Sequence, residues 1–387
     1  MSASNVPFWL DPDKRALGYQ LFTFLMVGLL AWYLVSNTLM NLEKQSIASG
    51  FGFLQKEAAF EIGESPISYS AADTYGRALM VGVLNTFKVS FFGIILCLAI
   101  GLVVGIARLS TNWLVQKLAT FYIEIMQNIP VLLQLFFWYA LFYESFPSPR
   151  QALAPFPGVF LCNRGLAMAV PAAHPAHFYV ALALGAAVVM ILLLKRWAAK
   201  RKARTGQDTP LFGLSCVIFL GLPTAAWLFM GAPTQMDVPE LRGFNFRGGI
   251  MLSPEFIALL MGLVIYTSAF VAEAVRAGIQ AVGRGQSEAA MSIGLKQGQI
   301  LSLVILPQAL RVIIPPLTSQ MLNLIKNSSL AIAIGYPDFV SVANTTINQT
   351  GQSIEGVALI MTCYLFFSIT TSLFMNWYNK KSKLVER

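Results

Sequence analysis

Polar and ionisable side chains set inside long apolar runs are where this chain can do chemistry. Glu273 and Arg276 stand three residues apart, so a helix would put them on one face, where they can pair with each other or meet the charged ends of a ligand. Lys326 lies in the run L-N-L-I-K-N-S-S-L, with Asn323, Asn327 and Ser328 around it, a polar patch on an otherwise apolar stretch. A zwitterion needs one anionic and one cationic contact plus hydrogen bonds in a mostly apolar cleft. Glu273 with Arg276 or Lys326 supplies that set, with Asn323 as a hydrogen-bonding neighbour. The alternative is structural: an ion pair between helices, or a long cation reaching back to the membrane interface. Glu124 and Gln127, one turn apart, read first as packing groups, and Asn85 and Lys88 as residues of the outer rim.

Other chemistries are poorly supplied. No GxxxxGK[ST] run is present, so the backbone cradle of a nucleotide phosphate is missing, and no LSGGQ-like run accompanies it. Two histidines, His174 and His177, sit three apart in a proline-rich loop without further ligands nearby, which argues against a metal. They also cannot build the interfacial cluster of a membrane-embedded enzyme. The four cysteines, Cys97, Cys162, Cys216 and Cys363, form no disulfide pattern. No cofactor is expected on this chain.

The elements that must position these residues are set by composition. Of 387 residues, 56% are hydrophobic and only 12% charged, with a mean hydropathy of +0.64. Soluble domains carry about twice that share of charge. Several apolar runs reach the roughly 18–20 residues that cross a bilayer, and backbone groups in lipid must be satisfied within the segment, so the runs read as helices. Eight spans are expected, at 17–40, 79–107, 118–143, 178–194, 211–231, 255–278, 312–335 and 354–378, giving an all-α polytopic membrane protein. The first is too long for the apolar core of a signal peptide and lacks a cleavage site, so it reads as an anchor.

The net charge of +9 is unevenly spread. Lys14, Arg15, Arg108, Lys117, the run KRWAAKRKAR (195–204), Arg276, Arg284, Lys296, Arg311 and the tail 380–387 fall on one side. Lys44, Lys56, Arg77, Arg150, Arg164, Arg242 and Arg247 fall on the other. The positive-inside rule then puts both termini in the cytoplasm, and the basic run is a topology anchor rather than a nucleic-acid site.

Along the chain, 1–78 reads as an anchor helix with an external cap, 79–143 as the first part of a core and 144–254 as an insertion. The insertion opens with an irregular external loop at 144–177 and continues as a two-helix hairpin at 178–231. The core resumes over 255–378, and 379–387 is a basic tail. Between two core spans lies E-A-A-M-S-I-G-L-K-Q-G-Q-I-L-S-L-V-I-L-P (288–307). Two short helices are expected here, the first beginning at Glu288, with a turn at Gly294. The second would run over 299–306, with Pro307 marking a bend at the membrane entry.

Glu288, Ala289, Ala290, Gly294, Leu306 and Pro307 match the spacing of the EAA loop of bacterial ABC importer permeases. The run from Ala272 to Ile334 resembles the polar amino acid uptake family, as do G-V-L-N-T-F-K-V-S (82–90) and N-I-P-V-L-L-Q-L-F-F (128–137). The eight-span plan with its 144–254 insertion is most like the larger permeases of general L-amino acid transport systems. The departures are mild: Val304 replaces Ile, and Asn128-Ile129 stands before Pro130 in place of Gly-Thr.

The resemblance implies a type I permease core whose EAA loop, 284–307, couples to a separate ATPase carrying ATP and Mg. It further implies a second permease subunit (a paralogue rather than a second copy), a periplasmic amino-acid-binding protein and a place in the bacterial inner membrane. A secondary amino acid carrier driven by an ion gradient is the alternative.

Overall fold

The structure, a computed structural model, describes residues 12–44, 50–207 and 209–382. Residues 1–11 and the last five residues of the basic tail lie outside them. In chain order the elements are α1 (Pro12–Lys44), α2 (Tyr75–Ala107), α3 (Trp113–Asn128), α4 (Val131–Ala140), β1 (Leu153–Phe156), β2 (Val159–Cys162), β3 (Gly165–Met168), β4 (Val170–Pro171), α5 (Pro175–Thr205) and α6 (Leu211–Phe229). Then come β5 (Met236–Asp237), β6 (Glu240–Arg242), β7 (Asn245–Arg247), β8 (Ile250–Leu252), α7 (Pro254–Gln280), α8 (Arg284–Ser292), α9 (Gln297–Gln299), α10 (Leu306–Asn327), α11 (Phe339–Thr350) and α12 (Ser353–Ser382). Among the described residues seven helices are long and apolar enough to cross a membrane, or eight if one bent pair counts as a span. The chain is predominantly helical and polytopic, as composition required.

Two compact units are formed, one from Leu96–Ala272 and the other from Met1–Ile95 with Glu273–Arg387. In the first, the segment expected as one span at 118–143 is broken at Pro130. α3 and α4 meet at 103°. Pro130 has no N–H and pushes Ile129 into an extended conformation (φ −96°, ψ 125°), which a helix cannot contain. The carbonyls freed by the break are recovered by one side chain. The buried Gln134 amide donates to the Met126 and Ile129 carbonyls at 3.0 and 3.1 Å. On α3, Tyr122 hydrogen-bonds the Ile265 carbonyl and the Ser268 hydroxyl, and Gln127 donates to the Ala269 carbonyl, so α3 is tied to α7 through polar contacts.

The region 144–177 is not the irregular loop expected. β1–β2–β3 pair in sequence and β8 joins β3, with Leu166 opposite Leu252, giving a four-stranded antiparallel sheet. Strands of four residues interrupted by Pro155 and Pro157 are too short to show alternation, which is why periodicity missed them. The visible signal was Pro157-Gly158, with Gly158 at φ +74°, a proline–glycine pair of the kind that turns a hairpin. Phe160 stacks on Phe246 over Cys162 and Ala167 to form a small core. The α5–α6 pair springs from the β4–β5 ladder, where Val170 faces Asp237 and the Ala172 N–H donates to the Gln235 carbonyl. His174 caps α5 by accepting from the Ala176 N–H, and a His177 ring nitrogen meets the Ala172 carbonyl, so both histidines are used structurally.

In the second unit the external cap is folded. Phe53 and Ala58 pack on Tyr75, Ala78 and Leu79 of α2 and on Phe339, Val342 and Ala343 of α11. A side chain at Gly82 would meet backbone atoms of Phe339 and Asp338 at 3.0 and 3.2 Å, so only glycine lets α2 and α11 approach this closely. From Gln297 the chain runs helical to Ile334, 38 residues, with a π-helical turn at Ile300–Ile305. Pro307, where a bend was expected, stands inside this run directly after the π-helical turn.

Candidate functional site

The segment after α7 is built to be stiff and bare. α8 closes in a Schellman motif: the Gly294 N–H donates to the Met291 carbonyl and the Leu295 N–H to the Ala290 carbonyl, with Gly294 at φ +81°. Nothing lies within 4 Å of a Cβ built at Gly294, so the demand for glycine is conformational, not steric. Ala290 is buried, as is Ile300 on the π-helical turn, while Glu288 and Ala289 are exposed. The Lys296 N–H donates to the Gln299 side chain, which starts the next helix. Exposed Met291, Ile293, Leu301 and Leu303 leave an apolar surface on this polar end of the molecule. Leu306 is exposed and Pro307 half-buried, where the segment enters α10.

The exposed residues in the middle and last turns of α10 lie on one face. Val312, Pro315, Pro316, Ser319, Asn323 and Lys326 are all exposed, and at 3.6 residues per turn they fall within roughly 100° of arc. Ile313, Ile314, Met321, Leu324 and Ile325 occupy the opposite face and are buried. On the surface of a soluble protein a helix with these two faces would simply turn the polar one to water. In a membrane the same division places Ser319, Asn323 and Lys326 where lipid is the least suitable neighbour.

Glu273 and Arg276 are brought together. The guanidinium forms a bidentate pair with the Glu273 carboxylate and also donates to Gln280, all on α7. Lys326 is not brought to them. Gly278 of α7 packs on Ile313 and Ala309 of α10. Lys326 is thirteen residues beyond Ile313, about 20 Å of helix, whereas Glu273 is five residues from Gly278, about 7–8 Å. At least about 12 Å of helix therefore separates the two stations. Lys326 instead lines a cavity of about 580 Å³ between α10 and α12, with Thr362, Tyr364 and Ser368.

Beyond Lys326 a buried polar knot joins α2, the cap and the start of α11. Asn85 donates to the Glu64 and Pro337 carbonyls, the Phe339 N–H donates to Thr86, and Lys88 pairs with Glu64 at 2.5 Å. Asp338 caps α11 by accepting from the Ser341 N–H, and its other oxygen accepts from the Tyr364 hydroxyl at 3.1 Å. Burial pushes the Asp338 carboxyl up to about 6, against the lowering effect of those hydrogen bonds. Asp338, Tyr364, Thr362, Ser368 and Gln134 were not singled out in the sequence; single hydroxyls and amides in apolar runs give no periodic signal. Asn85 and Lys88 were noticed, but as rim residues.

No group of three or more His, Cys, Asp and Glu side chains that could hold a metal exists among the described residues. Long apolar helices, one helix with an outward polar stripe and a stiff exposed segment leading into it define a multi-span membrane transport subunit. The chain belongs to the family of binding-protein-dependent transport system inner membrane components, whose pattern matches residues 97–383. That span leaves α1, the cap and the first part of α2 outside.

It is 48% identical over 378 residues to the general L-amino acid transport system permease protein AapQ of Rhizobium johnstonii, covering 97% of this chain and 94% of that one. To the putative amino-acid ABC transporter permease protein YhdX of Escherichia coli the identity is 50% over 380 residues, covering 97% and 96%. To the glutamate/glutamine/aspartate/asparagine transport system permease protein BztB of Rhodobacter capsulatus it is 39% over 409 residues, covering 97% and 96%. An ion-gradient carrier finds no support in this family.

Proposed function

We propose that this chain is a membrane-spanning permease subunit of an ATP-driven importer that moves amino acids across the bacterial inner membrane, with both termini in the cytoplasm. The observation that carries it is the continuity between the exposed segment at 284–307 and the polar stripe of α10. From Gln297 onward, the segment that docks on an ATPase and the helix that lines a path are here one helical run. In this reading Met291, Ile293 and Leu301 fill a groove of a separate ATPase subunit that binds ATP and Mg. Glu288 makes a polar contact there, Ala289 and Ala290 allow close approach, Gly294 sets the turn, and Leu306 and Pro307 pass the motion to α10.

The stripe at Ser319, Asn323 and Lys326 meets a second permease subunit across the path, because one copy of α10 cannot enclose it. A paralogue is the better partner, since the 144–254 insertion is an addition that only one half of the transporter needs to carry. A periplasmic binding protein delivers the amino acid at the external surface, to which the cap and the 337–353 segment belong. Closure of the ATPases moves 284–307, α10 follows, and the path alternates its opening. Asn323 and Lys326 contact the substrate. Glu273 and Arg276 flank the inner part of the path, as a pair that holds its own charge when no substrate is there.

Purification from the native membrane in mild detergent tests this. An ATPase subunit should accompany the wild type, persist in Gly294→Asn, which tolerates a positive φ, and be lost from Gly294→Asp, where the left-handed turn survives but a charge enters the docking surface. A wild type that brings down no ATPase, and that transports on an ion gradient alone, would defeat the reading.

A further inference from the structure

The end of the α5–α6 hairpin remote from the β4–β5 ladder holds more than half of the molecule's net charge. Between Phe178 and Met236 the sequence has six basic side chains, Lys195, Arg196, Lys200, Arg201, Lys202 and Arg204, against one carboxylate, Asp208. That difference of +5 compares with +9 for the whole chain. All six basic side chains are exposed. Lys195, Arg196, Lys200 and Arg204 form no ion pair among the described residues.

Two ordinary explanations cover only part of this. Cations in the last turn of a helix offset its dipole, and Lys202 and Arg204 stand there, but Lys195, Arg196 and Lys200 lie further back. Topology asks for positive charge on the inner side, which a loose loop supplies as well as a helix does. α5 instead runs unbroken through the basic residues and ends only at Gly206, which has φ +68° and donates its N–H to the Lys202 carbonyl at 3.0 Å. A continuous helix fixes the depth of each charge. The apolar part, residues 178–194, is about 25 Å long against roughly 30 Å of bilayer hydrocarbon, so Lys195 and Arg196 emerge at its edge. Lys200 lies about 8 Å beyond Lys195, and Arg204 about 14 Å. Trp197 is 52% exposed, and the Arg201 guanidinium is drawn back over its ring, towards the membrane, at 5.4 Å from the centroid. An exposed indole among cations belongs at headgroup level.

We propose that this end of α5 is a binding surface for anionic phospholipid of the inner leaflet, in which Lys195, Arg196 and Lys200 hold lipid phosphates and Trp197 lies among the headgroups. The choice of leaflet rests on the functional reading above, which puts both termini in the cytoplasm. Depth favours lipid over an acidic protein. Attraction to a charged membrane surface fades over about 8 Å at physiological ionic strength, so the charges nearest the hydrocarbon matter most to lipid. A cytoplasmic protein would meet Lys202 and Arg204 first. The long stems of Lys200 and Arg201 reach back along the helix and bring their heads towards the same layer.

The test uses the complete transporter in phosphatidylcholine vesicles, with its four native cysteines replaced and a bimane fluorophore on Ala199→Cys, an exposed position one turn from Lys195 and Arg196. Quenching by nitroxide-labelled phosphatidylglycerol, against nitroxide-labelled phosphatidylcholine, reads the local preference for the anionic lipid. Each cation near a membrane surface is worth about fivefold in affinity, so Lys195→Gln/Arg196→Gln should lower the preference about tenfold or more, and Lys202→Gln/Arg204→Gln by less than about threefold. Added salt should lower the preference of the unsubstituted helix as well. Equal quenching by the two lipids without any substitution would overturn the proposal, and so would equal losses in the two double variants. Loss of the ATPase from Lys202→Gln/Arg204→Gln, with the lipid preference unchanged in both doubles, would also overturn it and make this a protein-docking surface. Each double keeps four cations to hold the orientation of the hairpin. Reaction of Gln207→Cys with an impermeant maleimide from outside intact cells would instead overturn the orientation beneath the proposal, and it is read independently of lipid preference.

Discussion

α10 and the α5–α6 hairpin are both long apolar elements with a bare face in the isolated chain, and they differ in what that face carries. The bare side of α10 holds Ser319, Asn323, Lys326 and two prolines. The membrane part of α5, residues 178–194, has no side chain more polar than Tyr179, and on α6 Thr224 spends its hydroxyl on the Leu220 carbonyl one turn back. Phe212, Val217 and Phe229 of α6 are each at least 70% exposed. Lipid hydrocarbon satisfies such a surface completely, and nothing further is needed to explain it. It cannot satisfy α10. Exposure in a single membrane chain thus has two meanings, told apart by whether the exposed atoms need hydrogen bonds: under the proposed function the hairpin is expected to face lipid and α10 to face water or another subunit.

The largest expected effect comes from placing the same charge on both surfaces. Leu182→Lys, on the exposed face of α5, should disfavour membrane insertion by about 2.5–3.5 kcal/mol, read as loss of the inserted form in a glycosylation-mapping assay. Ser319→Lys should insert like the wild type, because its neighbours are already polar. Equal penalties at the two positions would erase the distinction.

The end of α10 also leads to a buried ionisable group, which the hairpin lacks. The Asp338 carboxyl, at about 6 in the folded protein, lies above its ordinary value near 4, so the native state binds this proton more tightly than the unfolded chain does. Its contribution is greatest below about pH 4 and is lost as pH rises through about 6, a swing of about 3 kcal/mol. Thermal unfolding of the purified complex should therefore show Tm falling between pH 5 and 7, and Asp338→Asn should flatten that slope.

The smallest effect is expected from removing the hairpin. Because β4 and β5 already pair at its base, joining residue 173 to residue 234 leaves a β-hairpin in its place. ATPase co-purification and the pH profile of unfolding should stay at the wild-type level, and uptake within about twofold, if the hairpin serves only as a lipid-facing addition, as surface changes away from special sites usually do little. Loss of the second permease on excision would show that the hairpin is an interface.

Much of this was legible from residue order. Span positions follow from apolar run length, and the proposed docking segment was picked out by E-A-A and Gly294, whose left-handed φ explains why glycine stands there. Pro130 marks a place for a kink, but the size of the break was not legible, because the flanking residues are apolar enough to read as one span; its signature is Gln134, whose amide repairs the cut carbonyls. The sheet at 153–252 escaped because its strands have three or four residues and β8 joins β3 across the hairpin insertion, a separation no local pattern reports. Arg276 and Lys326 looked interchangeable as cationic partners of Glu273. Helical rise from the Gly278–Ile313 contact is what divides them.

Water access in the assembled transporter is the most direct measurement. Single cysteines at Ser319, Asn323, Leu182 and Val189, in a background with Cys97, Cys162, Cys216 and Cys363 replaced, would be challenged with a membrane-impermeant maleimide and a lipid-phase quencher. Positions 319 and 323 should react with the maleimide, at rates that change when ATP is added, while 182 and 189 resist it and respond only to the quencher. Lipid-phase behaviour at 319 and 323 would contradict the assignment of α10 to the path.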